Sequence, residues 1–471
     1  MEPMLIDGRR VRSGKAIPVR LPYDGSLVGE VSEASPEHVD EAVNAACRAA
    51  PKMSELSRDE RAQILLRTRT ALMAAKDEFA RLISSESGKP LREAEAEVER
   101  SAYTLLFSAE EAHRLCGEEV PLDASPKGKN HMAMTIREPL GVIAAISPFN
   151  FPLNLSVHKI GPALAAGNAV VHKPATATPL SALRLAQLFL EAGLPPGALN
   201  VITGPGASIG DQLVCHPSIA MVTFTGSAAV GLRLRNNAGL KRVTLELGNN
   251  SAAVVCADAD IGNTAAQCVP GSYAHSGQVC ISVQRILIDE RVFQPFVDAF
   301  VAETSKLRIG NPLETGTDVS SLITEADAER VQQWISDAEA SGAKRVAGGS
   351  RQKATIAPTV LVNVPNSQPI YRKEAFGPVV CLNSFRTLDD AISMLNDTEY
   401  GLQASIFTRD LPTAFRTARN ARVGGFLIND VPQFRVDQMP YGGVKQSGTG
   451  REGPKYAVEE MTELKLITWR V

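Results

Sequence analysis

The sequence predicts an α/β protein of two domains in series, with a β-ribbon as an extension. Three observations predict it. The chain has 471 residues, more than the roughly 250–300 that a single core serves. Short apolar runs alternate with helical stretches in two successive series, and two strand-like pieces fit neither series. The composition, 44% hydrophobic and 21% charged, is that of a globular chain rather than a disordered or fibrous one. Lys and Arg number 49 against 52 Asp and Glu, which demotes nucleic-acid binding. No apolar run reaches the ~18 residues of a membrane span, and the start MEPMLIDGRRVRSG lacks the apolar core of a secretory signal, so a cytoplasmic location is expected.

In chain order, PEHVDEAVNAACRAA, SRDERAQILLRTRTALMAAKDEFARLISSES and LREAEAEVERSAYTLLFSAEEAHRL carry apolar residues at helical spacing. Three helices are therefore expected between Ser35 and about Arg114, before any strong strand. Beyond Pro139, GVIAAIS, GNAVVHK, LNVITG, IAMVTFTG and RVTLELG read as strands, with the helix LSALRLAQLFLEAG among them. This is the rhythm of a parallel sheet covered by helices on both faces. From Ser251 a second series follows: AAVVC, RILIDE, a helix from about Gln294 to Lys306, then APTVLVNV, PVVCLNSF, QASIFT and FLIND. Glu118–Arg137 and Met461–Val471 are left over, and are expected to pair antiparallel as a ribbon joining subunits.

Seven cysteines stand at 47, 116, 215, 256, 268, 280 and 381 without CxxC pairs, so neither a disulfide framework nor a metal site is expected. Gly204-Pro-Gly206-Ala-Ser-Ile-Gly210 follows a strand and opens a helix, although its glycine spacing is one residue off a dinucleotide fingerprint. Phe224-Thr225-Gly226-Ser227 sits at a second strand-to-helix turn, where backbone N–H groups can hold an anion. Glu246 ends the strand RVTLELG as a candidate proton-transfer group or, equally, a turn cap. Cys280, in HSGQVCIS, reads as a thiol at a strand edge, structural or nucleophilic.

Taken in order, Pro148-Phe-Asn150-Phe-Pro152, Lys173-Pro-Ala-Thr176, FTGS, LELG with Glu246, SGQVC with Cys280, and Glu374-Ala-Phe376-Gly-Pro378 resemble the aldehyde dehydrogenase superfamily. The likeness runs from about residue 5 to the C-terminus and includes the MPYGGVKQSGTGREG segment, Met439–Gly453. It implies a Rossmann-like cofactor-binding domain from 1–117 and 138–247, a catalytic α/β domain from 248–445, and oligomerisation segments at 118–137 and 446–471 of a homodimer or homotetramer. It implies Cys280 as the nucleophile that attacks the aldehyde, Glu246 as the base for the hydrolytic water, and the Asn150 amide with the Cys280 N–H as the oxyanion donors.

The same resemblance assigns NAD or NADP to a set of positions. Lys173 reaches the adenine ribose, Ser227 the pyrophosphate and Glu374 the nicotinamide ribose, with Phe376 beside it. Ser147, Phe149, Gly226 and Leu247 line the cleft, and Gly206 makes a close turn near the adenine. NAD-preferring relatives carry a glutamate where this chain has Thr176. A carboxylate there would repel a 2′-phosphate, so the balance leans to NADP with NAD left open. Asn249 replaces the usual second glycine after LELG, and Phe149 a common tryptophan.

Within the superfamily the motifs are most similar to enzymes for lactaldehyde, glyceraldehyde-3-phosphate (non-phosphorylating) and phosphonoacetaldehyde. Two positions where anion-binding relatives place arginine hold Leu106 and Val279 here, leaving Arg435 and His158 as candidate substrate ligands. The competing readings are a surface loop cation for Arg435 and a satisfied core residue for His158. The expected activity is oxidation of a small polar or anionic aldehyde, of lactaldehyde, phosphono- or sulfo-aldehyde or semialdehyde type, to its acid. Its alternatives are a CoA-acylating semialdehyde dehydrogenase, an acyl-phosphate reductase, and a non-catalytic protein of the same fold. Glu246 argues against the first two, and the joint presence of Cys280, Glu246 and Asn150 against the last.

Overall fold

The computed structural model describes residues 1–471. Four helices, Pro36–Glu55, Arg58–Ala74, Lys76–Ser87 and Leu91–Arg114, stand where three were expected. Ser57 opens the second with a capping box, its hydroxyl accepting from Glu60 N at 3.2 Å while Glu60 Oε2 accepts from Ser57 N at 2.7 Å. The helical pattern after Ser57 then breaks at Ala75 (φ −102°, ψ 21°). No glycine or proline marks that break, so periodicity ran straight through it. Four short strands also precede these helices, including a hairpin of Ala16–Arg20 with Leu27–Ser32 whose turn contains Gly25 at φ 81°.

The first sheet has the strand order Arg9–Val11, Met4–Ile6, Leu199–Val201, Ala169–Lys173, Val142–Ile146, Met221–Thr225, Arg242–Glu246, Gly448–Thr449. Its five central strands are parallel, and the connections run outward in both directions from Val142–Ile146. These strands are apolar and buried on both faces, as sheets sandwiched between helices require. The second sheet, from Lys344–Ala347 to Gly425–Ile428, is parallel except for its first strand, with Ser251–Val255 and Val283–Asp289 at its centre.

His131–Pro139 and Thr462–Arg470 pair antiparallel over nine residues as a separate two-stranded ribbon. The remainder of the segment expected from 446 behaves differently. Gly448 and Thr449 pair antiparallel with Glu246 and Leu245, so this stretch is an edge of the first sheet rather than part of the extension. Gly448 allows it, because at φ 124° any Cβ would lie 1.9 Å from Leu245 O. No helix is long and apolar enough to cross a membrane.

Candidate active site

In the first sheet the chain order reverses between Val142–Ile146 and Met221–Thr225. The crevice beyond the carboxyl ends of two such strands is where doubly wound sheets bind ligands. A cavity of about 690 Å³ opens there, within the range of small-molecule and cofactor sites. The loops after the three strands Val142–Ile146, Met221–Thr225 and Arg242–Glu246 supply one wall, and Cys280, Glu374 and Phe376 of the second domain supply the other. Every catalytic and cofactor position expected above lines it: Asn150, Glu246 and Cys280 with Ser147, Phe149, Lys173, Thr176, Gly206, Gly226, Ser227, Leu247, Glu374 and Phe376. His158 and Arg435 do not line it.

Cys280 follows a tight left-handed run, with His275, Ser276 and Gly277 at φ 47°, 56° and 74°. At Gly277 a Cβ would lie 2.2 Å from Gly377 O, so only glycine fits this turn. Gln278 braces the loop, its side-chain amide donating to His275 O at 3.2 Å and its oxygen accepting from Ile323 N at 2.8 Å. The Asn150 amide reaches across the domains to donate to Gln278 O at 2.8 Å. The Cys280 thiol is half-buried and lies 2.8 Å from the Tyr441 hydroxyl. Burial pushes the thiol up to about 12, against the pull of Tyr441 and Arg435.

Glu246 is buried, and neither of its carboxyl oxygens has a hydrogen-bond partner. Burial, then the charge of Glu452, hold it well above the usual carboxylate range. Glu452 itself accepts from Lys159 Nζ at 2.8 Å and from Arg435 Nη2 at 3.3 Å. Against the cost of its burial, the charges of Lys159 and Arg435 hold it below the usual carboxylate range. Beside this group His158 Nε2 lies 2.9 Å from Asp437, which Arg100 clamps with two bonds of 2.9 and 3.2 Å. Burial lowers His158 below the usual histidine value, so the imidazole is neutral at neutral pH.

Arg435 is therefore not a surface cation. Its side chain is 5% exposed, bound to Glu452, and its guanidinium carbon sits 3.6 Å from the centre of the Tyr441 ring. Lys159 and Arg435 both pair with Glu452, and Arg100 and His158 with Asp437, so Arg435 belongs to a buried ionic cluster that abuts the Tyr441 ring.

At the other end of the cavity, the helix Ala228–Asn237 begins at Ser227, whose side chain makes no capping bond. Its hydroxyl and the first N–H groups are free for a diphosphate, which this uncapped end suits. Gly206 and Gly210 leave open space where side chains would stand. Lys173 donates only to Pro174 O, at 3.0 Å, and burial lowers its ammonium to about 8. Thr176 donates its hydroxyl proton to Gly204 O at 3.0 Å, so that proton is already engaged. Its contribution is the absence of a carboxylate. Arg233, passed over in the sequence, lines this end as a second cation.

Glu374 accepts from Asn249 N at 2.9 Å, and burial raises its carboxyl to about 7. Phe149 and Phe376 meet edge to face, centroids 5.9 Å apart at 84°, and close the cleft between them. The Asn249 side chain is accommodated by bonding Ser251 Oγ at 2.6 Å and Leu402 N at 3.2 Å, which ties its loop to the second sheet. The residues present thus fit an extended dinucleotide: an uncapped helix end at Ser227, open space at Gly206 and Gly210, and a buried carboxyl at Glu374. No group of three or more His, Cys, Asp or Glu side chains is placed to hold a metal ion.

The profile of the aldehyde dehydrogenase family matches residues 10–467. The chain is 46% identical over 464 residues to a 3-sulfolactaldehyde dehydrogenase of Priestia megaterium, covering 98% of this chain and 97% of that protein. It is 39% identical over 468 residues to a lactaldehyde dehydrogenase of Methanococcus aeolicus, covering 98% and 99%. Among solved structures, the glyceraldehyde-3-phosphate dehydrogenase GapN of Methanocaldococcus jannaschii complexed with NADP superimposes with a TM-score of 0.94 at 38% identity, over 98% of this chain and 100% of that one.

Proposed function

This chain belongs to the aldehyde dehydrogenase family and is an enzyme that oxidises an aldehyde with NAD or NADP; on that premise we propose that Cys280 is its nucleophile and that its substrate is a short aldehyde carrying a hydroxyl or a compact anionic group. The observation that carries the reading is the single cavity into which Cys280, Glu246, Asn150 and the whole cofactor set converge.

Cys280 attacks the carbonyl carbon to form a thiohemiacetal. The Asn150 amide and the Cys280 backbone N–H bind the oxyanion that develops. Bound NAD or NADP supplies the hydride acceptor. Lys173 and Ser227 hold its adenosine and diphosphate, and Glu374 its nicotinamide ribose. The resulting thioester is cleaved by water, which Glu246 deprotonates once its own proton has left. Glu246 has no hydrogen-bond partner among the protein groups, which leaves both oxygens free for that water. Thr176 without a carboxylate, and Lys173 with Arg233 as nearby cations, favour NADP over NAD.

The substrate class rests on relatives named for sulfolactaldehyde and lactaldehyde and on the buried Arg435 guanidinium stacked on Tyr441 beside Cys280. Arg435 acts on the substrate through its charge and through Tyr441 rather than from the cavity wall, while the neutral His158 holds Asp437 in the same cluster. Analysis of the product tests the reaction: free carboxylic acid formed in step with reduced cofactor, without CoA or phosphate, is expected. A strict requirement for CoA would replace this reading with the acylating one.

A further inference from the structure

The Tyr441 hydroxyl lies 2.8 Å from Cys280 Sγ and the ring of Tyr441 lies 3.6 Å from the Arg435 guanidinium carbon. Tyr441, Val279, Ile281 and Leu402 form a small apolar cluster around the thiol, so this hydrogen bond operates out of water. We propose that Tyr441 is a further catalytic residue, whose hydroxyl donates to the Cys280 sulfur and stabilises the thiolate, with Arg435 stacked behind the ring to keep the phenol a strong donor.

The inference rests on Cys280 as nucleophile. The charged and titratable groups around the thiol are Glu246, Glu374, Arg435 and Tyr441 itself. Both glutamates oppose a thiolate when ionised, so the stabilising partners are the phenol and the guanidinium. When the thiol ionises, its proton passes to Glu246 or to solvent, and Tyr441 keeps its own proton and directs it at sulfur. Once sulfur is bonded to the aldehyde carbon it is a poor acceptor, and the hydroxyl is released. Arg435 is held in place by Glu452, and Glu452 by Lys159. The ionic cluster thus acts on the thiol through the ring of Tyr441.

The test is the rate at which iodoacetamide labels the Cys280 peptide, read by mass spectrometry so that the other six cysteines do not contribute, in parent and Tyr441→Phe proteins saturated with NADP between pH 6 and 10. Loss of one such hydrogen bond raises the thiol midpoint by about one pH unit, a tenfold smaller thiolate fraction. The more basic thiolate is about threefold more reactive, since nucleophilicity follows basicity with a coefficient near 0.4–0.5. With both midpoints above this range, labelling is expected to fall about threefold in Tyr441→Phe, by the same factor at every pH from 6 to 10 and equally with the bulkier N-ethylmaleimide. Coincident profiles, faster labelling in Tyr441→Phe, or a loss that differs between the two reagents would overturn the proposal. The labelling needs no aldehyde, so it is independent of turnover by Cys280→Ala, whose persistence would instead strike the nucleophile assignment.

Discussion

The side-chain amide of Asn150 donates to the backbone carbonyl of Gln278 at 2.8 Å, joining the end of the strand Val142–Ile146 to the loop that carries Cys280. One N–H of the amide is thereby fixed on the second domain, and on the proposed mechanism the other binds the oxyanion of an aldehyde attached to Cys280. Removal of one oxyanion donor costs about a hundredfold to a thousandfold in kcat. Asn150→Ala is expected to lose activity on that scale while its NADP affinity stays within about twofold of the parent, measured by cofactor fluorescence. A loss confined to KM would assign Asn150 to binding instead.

Cys280→Ala is expected to abolish turnover while cofactor binding persists, because on the proposed mechanism its side chain forms the bond to substrate. Activity within about tenfold of the parent would move the nucleophile to another residue.

Cofactor affinity is expected to be bell-shaped in pH. Burial raises Glu374 to about 7, so below that it is protonated and loses the charge-assisted acceptance that strengthens a ribose hydrogen bond. Burial lowers Lys173 to about 8, so above that it loses the charge that attracts an anionic cofactor. Titration calorimetry with NADP should show the lowest Kd between these two values, rising up to about tenfold by pH 6. Glu374→Gln should remove the acid limb and leave the alkaline one, and a profile unchanged in that variant would remove Glu374 from the cofactor site.

Thr176→Glu is expected to shift preference toward NAD by adding a carboxylate that repels a 2′-phosphate to the cavity that Lys173 and Arg233 also line. The readout is the ratio of kcat/KM for NADP over NAD. An unchanged ratio would show that position 176 does not face the adenine ribose.

The ribbon points to a dimer or tetramer. Cross-strand pairing sets Trp469 beside Met132 and Ile467 beside Met134, and Trp469, Met132 and Met134 are exposed. Leu464 and Leu466 are exposed too, so apolar side chains project on both faces of a two-stranded ribbon. Light scattering at micromolar protein should give at least a dimer, and Trp469→Asp combined with Leu466→Asp should lower the mass. A monomeric parent would contradict this.

Much of this architecture was legible in the sequence because both sheets are built of apolar runs punctuated by glycine turns, and the site residues sit at the ends of those runs. The break at Ala75 was hidden, because a helix-to-helix junction without glycine or proline leaves the periodicity intact. The hairpin of Ala16–Arg20 with Leu27–Ser32 was passed over although Asp24-Gly25 marks its turn, since its strands are short and largely exposed. Gly448 and Thr449 joined the first sheet by an edge pairing of two residues, too short to carry any pattern.

The site shows the same division. Asn150, Glu246 and Cys280 belong to local motifs, whereas the ion cluster of Lys159, Glu452, Arg435, His158 and Asp437 joins residues up to 293 positions apart. Only the fold brings these charges together. That is why Arg435 read equally well as a surface cation, and why Tyr441, inside a recognised segment, gave no sign of touching the thiol.

The most direct test of the account is the initial rate of NADP reduction across a panel of short aldehydes that includes lactaldehyde, sulfolactaldehyde, succinate semialdehyde, glyceraldehyde-3-phosphate and neutral propionaldehyde. The account expects at least one polar or anionic member to exceed propionaldehyde in kcat/KM by about a hundredfold, corresponding to roughly 2.7 kcal/mol of discrimination in the transition state. Equal rates across the panel, or a preference for the neutral aldehyde, would contradict it.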